Sequence, residues 1–171
     1  MDIKRSAYKL IKEKLEPKKV LIIYGPRRVG KTFLLEKLIY DRAFKKETIA
    51  FFKGDRKVVQ DVFSSKNLNR MIDFIGKDKS LLILDEAQKI DRIGENLKIL
   101  VDDVPNLKII ASGSASFELA DQLGEPLTGR KKTIRLFPVW IKEIIETKGR
   151  AYFDEIVNIA EANFGLPLKS K

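Results

Sequence analysis

The chain contains no cysteine and no histidine. The first absence excludes disulfides, thiolate nucleophiles and cysteine-ligated zinc or iron–sulfur centres. The second excludes Ser-His-Asp hydrolysis and histidine-ligated metals. Any metal must therefore be held by oxygen ligands. No apolar run approaches the ~20 residues that a membrane span requires. Met1-Asp2-Ile3-Lys4-Arg5 leads into no apolar signal region. From these absences a cytoplasmic chain without a membrane partner is expected.

What is present suits a folded globule. The chain has 171 residues, 44% of them hydrophobic. That is enough for one domain with a real core. The net charge is +10, which attracts nucleic acid, nucleotides or an acidic membrane. The basic residues are scattered among acids, and only Lys4 to Lys19 and Lys131-Lys132 are locally enriched. The charge is as consistent with a solvated lysine-rich surface as with an anionic partner.

The pattern along the chain alternates between strand and helix. Asp2 to Leu15 has apolar residues near helical spacing, and Pro17 ends it. Val20 to Tyr24 is a short continuous apolar run, as in a strand buried on both faces. A helix is expected from Lys31 to Phe44, and a second strand from Thr48 to Phe52, broken by Gly54. Val58 to Phe63 and Leu68 to Ile75 read as helical pieces. A third strand is expected over Leu81 to Leu84 and a helix over Ile93 to Val104. Lys108 to Ala111 is the fourth strand, and Ser116 to Leu123 the next helix. Thr133 to Phe137 is the fifth strand, and Val139 to Thr147 and Tyr152 to Asn163 close the pattern as helices. Such alternation implies an α/β domain with a parallel sheet flanked by helices. Ligands in these sheets lie at the carboxyl ends of the strands. Three polar clusters fall there: the loop after the first strand, Asp85-Glu86, and Ser112-Gly113-Ser114.

Gly25-Pro26-Arg27-Arg28-Val29-Gly30-Lys31-Thr32 fits G-x-x-x-x-G-K-[ST] at every position. A loop turning between strand and helix aims successive backbone N–H groups at one point, and the helix N-terminus adds its positive dipole end. Gly25 and Gly30 let the backbone turn and come close to a ligand. Lys31 reaches the β- and γ-phosphates, and the Thr32 hydroxyl ligates Mg²⁺. Phe33 continues the same contact surface. The expected ligand is ATP or ADP with Mg²⁺.

Leu81-Leu82-Ile83-Leu84-Asp85-Glu86 delivers two carboxylates to the rim of the sheet. Asp85 is read as a Mg²⁺ ligand, reached through water. Glu86 is read as the general base or water-positioner. Alone, the pattern is as consistent with solvated acids at a strand end. With the phosphate loop it forms the second half of a two-part site.

GPRRVGKT, LLILDEAQ, IIASGSAS and LTGR, in that order, resemble the AAA-type P-loop ATPases. The closest resemblance is to a bacterial and archaeal group whose ATPase domain is usually joined to a C-terminal domain, often nuclease-like. The similarity runs from about Ile3 to Pro167. It implies a P-loop NTPase fold with a five-stranded parallel sheet in the order 5-1-4-3-2. Residues 1–171 then form one ATPase domain. Residues 1–19 are expected to be its N-terminal helix and linker, and residues 150–171 the start of a missing or truncated C-terminal region. The resemblance also implies a polar sensor of the γ-phosphate on the fourth strand, Ser112 or Ser114, with Ser112 the narrower choice because Ser114 and Ser116 suit helix caps. Arg130 is the matching arginine sensor or finger, in cis or from a neighbouring subunit, or else an exposed arginine beside Lys131. Ile3 to Arg5 would line an adenine pocket. Gln88 would orient water or start a helix at the surface. Pro138-Val139-Trp140-Ile141-Lys142-Glu143 departs from the small polar and aromatic residues that relatives carry after this proline.

Three functions use such a site. The first is ATP hydrolysis that drives a change in a partner or attached domain. The second is a nucleotide-gated binding module, acting on a protein, a second copy of the chain, or DNA. The third is phosphate transfer to a small molecule.

Overall fold

The computed structural model describes residues 5–41, 44, 47–114 and 126–164. Apolar runs become strands here because helices seal both faces of the sheet. The elements are α1 (Ser6–Lys14), β1 (Val20–Gly25), α2 (Lys31–Tyr40), β2 (Ile49–Lys53), α3 (Lys57–Phe63), α4 (Leu68–Ile75) and β3 (Leu81–Asp85). A 3₁₀ turn (Ala87–Lys89), α5 (Ile93–Asp103), β4 (Lys108–Ser114), β5 (Lys131–Arg135), α6 (Ile141–Lys148) and α7 (Arg150–Phe164) follow. The sheet has five strands in the order β2-β3-β4-β1-β5, all parallel. This is the 5-1-4-3-2 order expected of the fold.

Period-two alternation divides the core into two layers. Val20, Ile22, Leu82, Leu84 and Ile109 pack against α3, α4 and α5 through residues such as Phe63, Met71 and Leu97. Leu21, Ile23, Leu81, Ile83 and Ile110 pack on the opposite face, against Ile11 of α1 and Leu34, Leu35 and Leu38 of α2. This alternation also aims the polar residues at the strand ends. Asp85 lies two residues beyond Ile83, and Ser112 two beyond Ile110. Both therefore face the α2 side, where Thr32 sits.

Several boundaries differ from those read in the sequence. α2 stops at Tyr40 rather than Phe44, because Asp41 is extended (φ −79, ψ 132). β4 continues beyond Ala111 to Ser114, because β1 keeps pairing with it as far as Gly25 opposite Ser114. The Ser112 to Ser114 cluster is therefore strand and not loop. β5 begins at Lys131, two residues early, set by its pairing with Val20. The helix expected over Ser116 to Leu123 lies outside the described residues.

Gly25 carries a packing requirement beyond the turn and ligand approach read from the motif. A Cβ there would lie 2.1 Å from the Leu136 carbonyl oxygen. That oxygen belongs to backbone, which is tied by a 2.7 Å hydrogen bond from Leu136 N to Tyr24 O. Gly25→Ala is expected to lose ~1–3 kcal/mol of stability or more, as an overpacked site with little freedom to relax. A melting temperature lowered by several degrees would show it; an unchanged one would contradict the close approach.

Candidate functional site

The phosphate loop leaves β1 at Gly25 and enters α2 at Lys31. Gly30 has φ +88, in the left-handed region that glycine adopts without strain. Val29 is buried and anchors the loop, while Pro26, Arg27 and Arg28 are exposed. Lys31 is only 6% exposed. Its Nζ donates to the carbonyls of Gly25 (3.0 Å) and Pro26 (2.8 Å). Burial holds the Lys31 pKa below the ordinary lysine value, with Arg27 adding to the effect and the charges of Glu86 and Asp85 opposing it. The loop's lysine and both acids of β3's end therefore share one electrostatic neighbourhood.

Asp85 is the centre of this arrangement. It is 2% exposed, and its carboxylate accepts two hydroxyl donors. Thr32 Oγ1 donates to Oδ2 at 2.6 Å, and Ser112 Oγ donates to Oδ1. The pairing of Leu84 with Ala111 puts Ser112 directly beside Asp85. Thr32 reaches it from the first turn of α2. Three segments far apart in sequence thus meet at one carboxylate.

Glu86, the next residue, has φ 54 and ψ 39, an uncommon conformation for a residue with a side chain. It turns the chain out of β3 into the 3₁₀ turn, and its carboxylate accepts from Gln88 Nε2. The loop after β2 supports this corner: Gly54 N donates to Asp85 O at 2.7 Å, and Gln60 Nε2 donates to Gly54 O at 2.9 Å. Lys53 of β2 pairs with Glu36 of α2 at 3.5 Å, tying that edge to the loop's helix.

Phe33 is 54% exposed. With Tyr8, Leu34, Lys37 and Asp41 it lines a pocket of about 310 Å³ beside Arg5. Arg5 is the only described residue of the Ile3 to Arg5 segment, and it does border this pocket. Tyr24 is partly buried in the layer against α3 to α5.

Arg130 requires a correction. It precedes β5, and its carbonyl accepts from Val20 N at 2.8 Å. That is the amino end of β1, five residues and therefore ~16 Å from the phosphate loop at the other end of the strand. Its guanidinium is held there by Asp102, at 2.6 Å. Arg130 does not reach a phosphate on the loop of its own chain.

Sequence reasoning gave no role to Glu143. It is 5% exposed and joins Arg5 (3.2 Å) to Ser6 and Trp140. Glu143 accepts from the Trp140 N–H three residues before it, but tryptophan has no side-chain acceptor, so the sequence carries no capping-box signature there.

A family model described as an AAA domain matches residues 17–145. The chain belongs to the AAA domain family. The AAA domain is similar to two uncharacterized proteins of Methanocaldococcus jannaschii. One is 30% identical over 138 residues, covering 81% of this chain and 31% of that protein. The other is 27% identical over 170 residues, covering 90% and 35%. The chain spans about a third of the length of these relatives. A structure of the replication initiator DnaA bound to AMPPCP and single-stranded DNA has the same fold. Its TM-score is 0.59 at 17% identity, over 99% of this chain and 54% of that one. Membership places the AAA domain among the P-loop ATPases, a nucleotide-binding class. No helix among the described residues is long and apolar enough to cross a membrane.

Proposed function

We propose that this AAA domain binds ATP with Mg²⁺ and hydrolyses it, and that the cycle drives a change in an attached or partner domain. The observation that carries the reading is the Asp85 carboxylate held between the Thr32 and Ser112 hydroxyls, at the point where the phosphate loop becomes a helix. The donor chemistry fits Mg²⁺. No group of three or more acidic side chains that could hold a metal is gathered among the described residues. A hard cation sharing its oxygens among Thr32, Asp85, water and phosphate needs no such group. When bound, Mg²⁺ neutralises charge on the phosphate oxygens.

The chain's own residues supply the rest. Backbone N–H groups from Arg27 to Phe33 hold the phosphate oxygens. Lys31 exchanges the carbonyls of Gly25 and Pro26 for the β- and γ-phosphates. The base enters the pocket of Tyr8 and Phe33. Glu86, released from Gln88, accepts a proton from water as the water oxygen bonds to the γ-phosphorus. The bond from that phosphorus to the bridging oxygen breaks, and ADP and phosphate leave. Ser112 senses the γ-phosphate through Asp85.

The position of Arg130 favours a second reading, a nucleotide-gated module with little turnover of its own. An arginine at the far rim leaves a single chain without that positive charge on the γ-phosphate. Turnover of ATP and GTP, measured against protein concentration, separates the two. We expect phosphate release that is absent in Lys31→Ala and that rises steeply with concentration if a neighbouring copy supplies its arginine. Tight ATP binding with no release at any concentration would select the second reading.

A further inference from the structure

Arg5 and Glu143 form a buried ion pair to which the proposed chemistry gives no step, although Arg5 also lines the pocket of Tyr8 and Phe33. Their side chains are 10% and 7% exposed. A pair removed this far from water holds together only where hydrogen bonds satisfy its remaining donors and acceptors. Here they join three parts of the chain. Arg5 Nη1 donates to the Val29 carbonyl at 2.8 Å, and Arg5 Nη2 to the Phe137 carbonyl at 2.5 Å. Arg5 Nε lies 3.2 Å from Glu143 Oε2, an ionic contact without hydrogen-bond geometry. Glu143 Oε1 accepts from Ser6 N and Ser6 Oγ, both at 2.8 Å, and Oε2 accepts from Trp140 N at 3.1 Å. Burial would raise the Glu143 pKa, but the hydrogen bonds from Ser6 and Trp140 and the charge of Arg5 outweigh it and hold the carboxyl below its ordinary range.

The Val29 carbonyl shares its planar peptide with the Gly30 N–H. In a trans peptide the two point in opposite directions. By holding the carbonyl, Arg5 fixes the Gly30 N–H pointing away from itself, one residue before Lys31. The same guanidinium grips the Phe137 carbonyl two residues past β5, and Glu143 grips the backbone where α6 begins. The orientation of a loop amide and the placement of the Trp140 turn are thus set by one side-chain pair.

We propose that Arg5 and Glu143 are positioning residues for the phosphate loop, linking nucleotide occupancy to the turn at Trp140. The inference rests on the nucleotide-binding reading above. Trp140 is the sole tryptophan and is 63% exposed, so its emission reports directly on this joint. A role confined to folding would not move that signal.

The test compares the full chain with Arg5→Ala and Glu143→Gln, using calorimetry for Mg-ATP binding and Trp140 emission for the joint. Glu143→Gln keeps the shape and one carbonyl acceptor, so it remains informative where Arg5→Ala fails to fold. The wild type is expected to change its emission on saturation with Mg-ATP. In the folded variants Kd is expected to rise about tenfold, the loss of a charge-assisted hydrogen bond, and the emission change to be lost at saturating nucleotide. Wild-type Kd and a wild-type emission change in both variants would overturn the proposal, as would binding to the wild type that leaves Trp140 silent. No binding heat from the wild type would overturn the nucleotide reading itself, and this inference with it.

Discussion

Glu86→Gln is expected to reduce ATP turnover by ~10² to 10⁴-fold, the usual contribution of a positioned general base, while ATP binding survives. The carboxylate stands one residue beyond the buried Asp85, on a turn with φ 54 that carries it out of the strand direction. Gln88 engages it, so hydrolysis requires that contact to be exchanged for one with water. The glutamine keeps the size of the side chain but cannot accept a proton. Asp85, Thr32 and Lys31 are untouched by the change, so the affinity for Mg-ATP should stay within a few-fold of the wild type. Single-turnover phosphate release, with binding measured in parallel, is the check. Unchanged turnover would remove Glu86 from the role.

The second large effect is expected at Asp85. Asp85→Asn preserves shape and leaves an oxygen and an amide facing the hydroxyls of Thr32 and Ser112. The fold should therefore persist, with melting close to the wild type. The negative charge is lost from a position that is 2% exposed, where little water is present to replace it. Turnover is expected to fall by about 10²-fold or more, since an electrostatic contact of this kind is worth several kcal/mol in a water-poor site. Ser112→Ala should fall less, by about tenfold, the low end of what a hydrogen bond to a charged group contributes (~1.5 kcal/mol). An Asp85→Asn variant as active as the wild type would show that the carboxylate contributes structure alone.

Part of this arrangement is legible in the sequence. Alternation along β3 puts Asp85 on the face of Ile83, but it puts Ser112 with Ile110 only once pairing with β1 carries β4 past Ala111. The motif's strand-loop-helix context puts Thr32 opposite them. Local rules suffice for Asp85 and Thr32, because pleat and helix period act over a few residues. Other features depend on contacts between distant residues. Ser112 was read as loop because its polarity resembles a strand end, whereas pairing with β1 continues the strand to Ser114. Arg130 looked like a site residue because of its neighbours in the sequence, but strand direction carries it to the opposite rim. Glu143 and Arg5 are 138 positions apart, and nothing in either neighbourhood announces that they meet. Gly25 was legible as a loop glycine, but not the carbonyl of Leu136 that requires it.

On the proposed reading, Thr32 and Asp85 hold the metal that accompanies the nucleotide on the loop. Calorimetric titration with ATP, in magnesium and in excess chelator, tests it most directly when run on the wild type and on Asp85→Asn. Magnesium should tighten ATP binding to the wild type severalfold or more, and that gain should disappear in Asp85→Asn. Equal affinity with and without magnesium in the wild type, or no heat at all, would contradict the account.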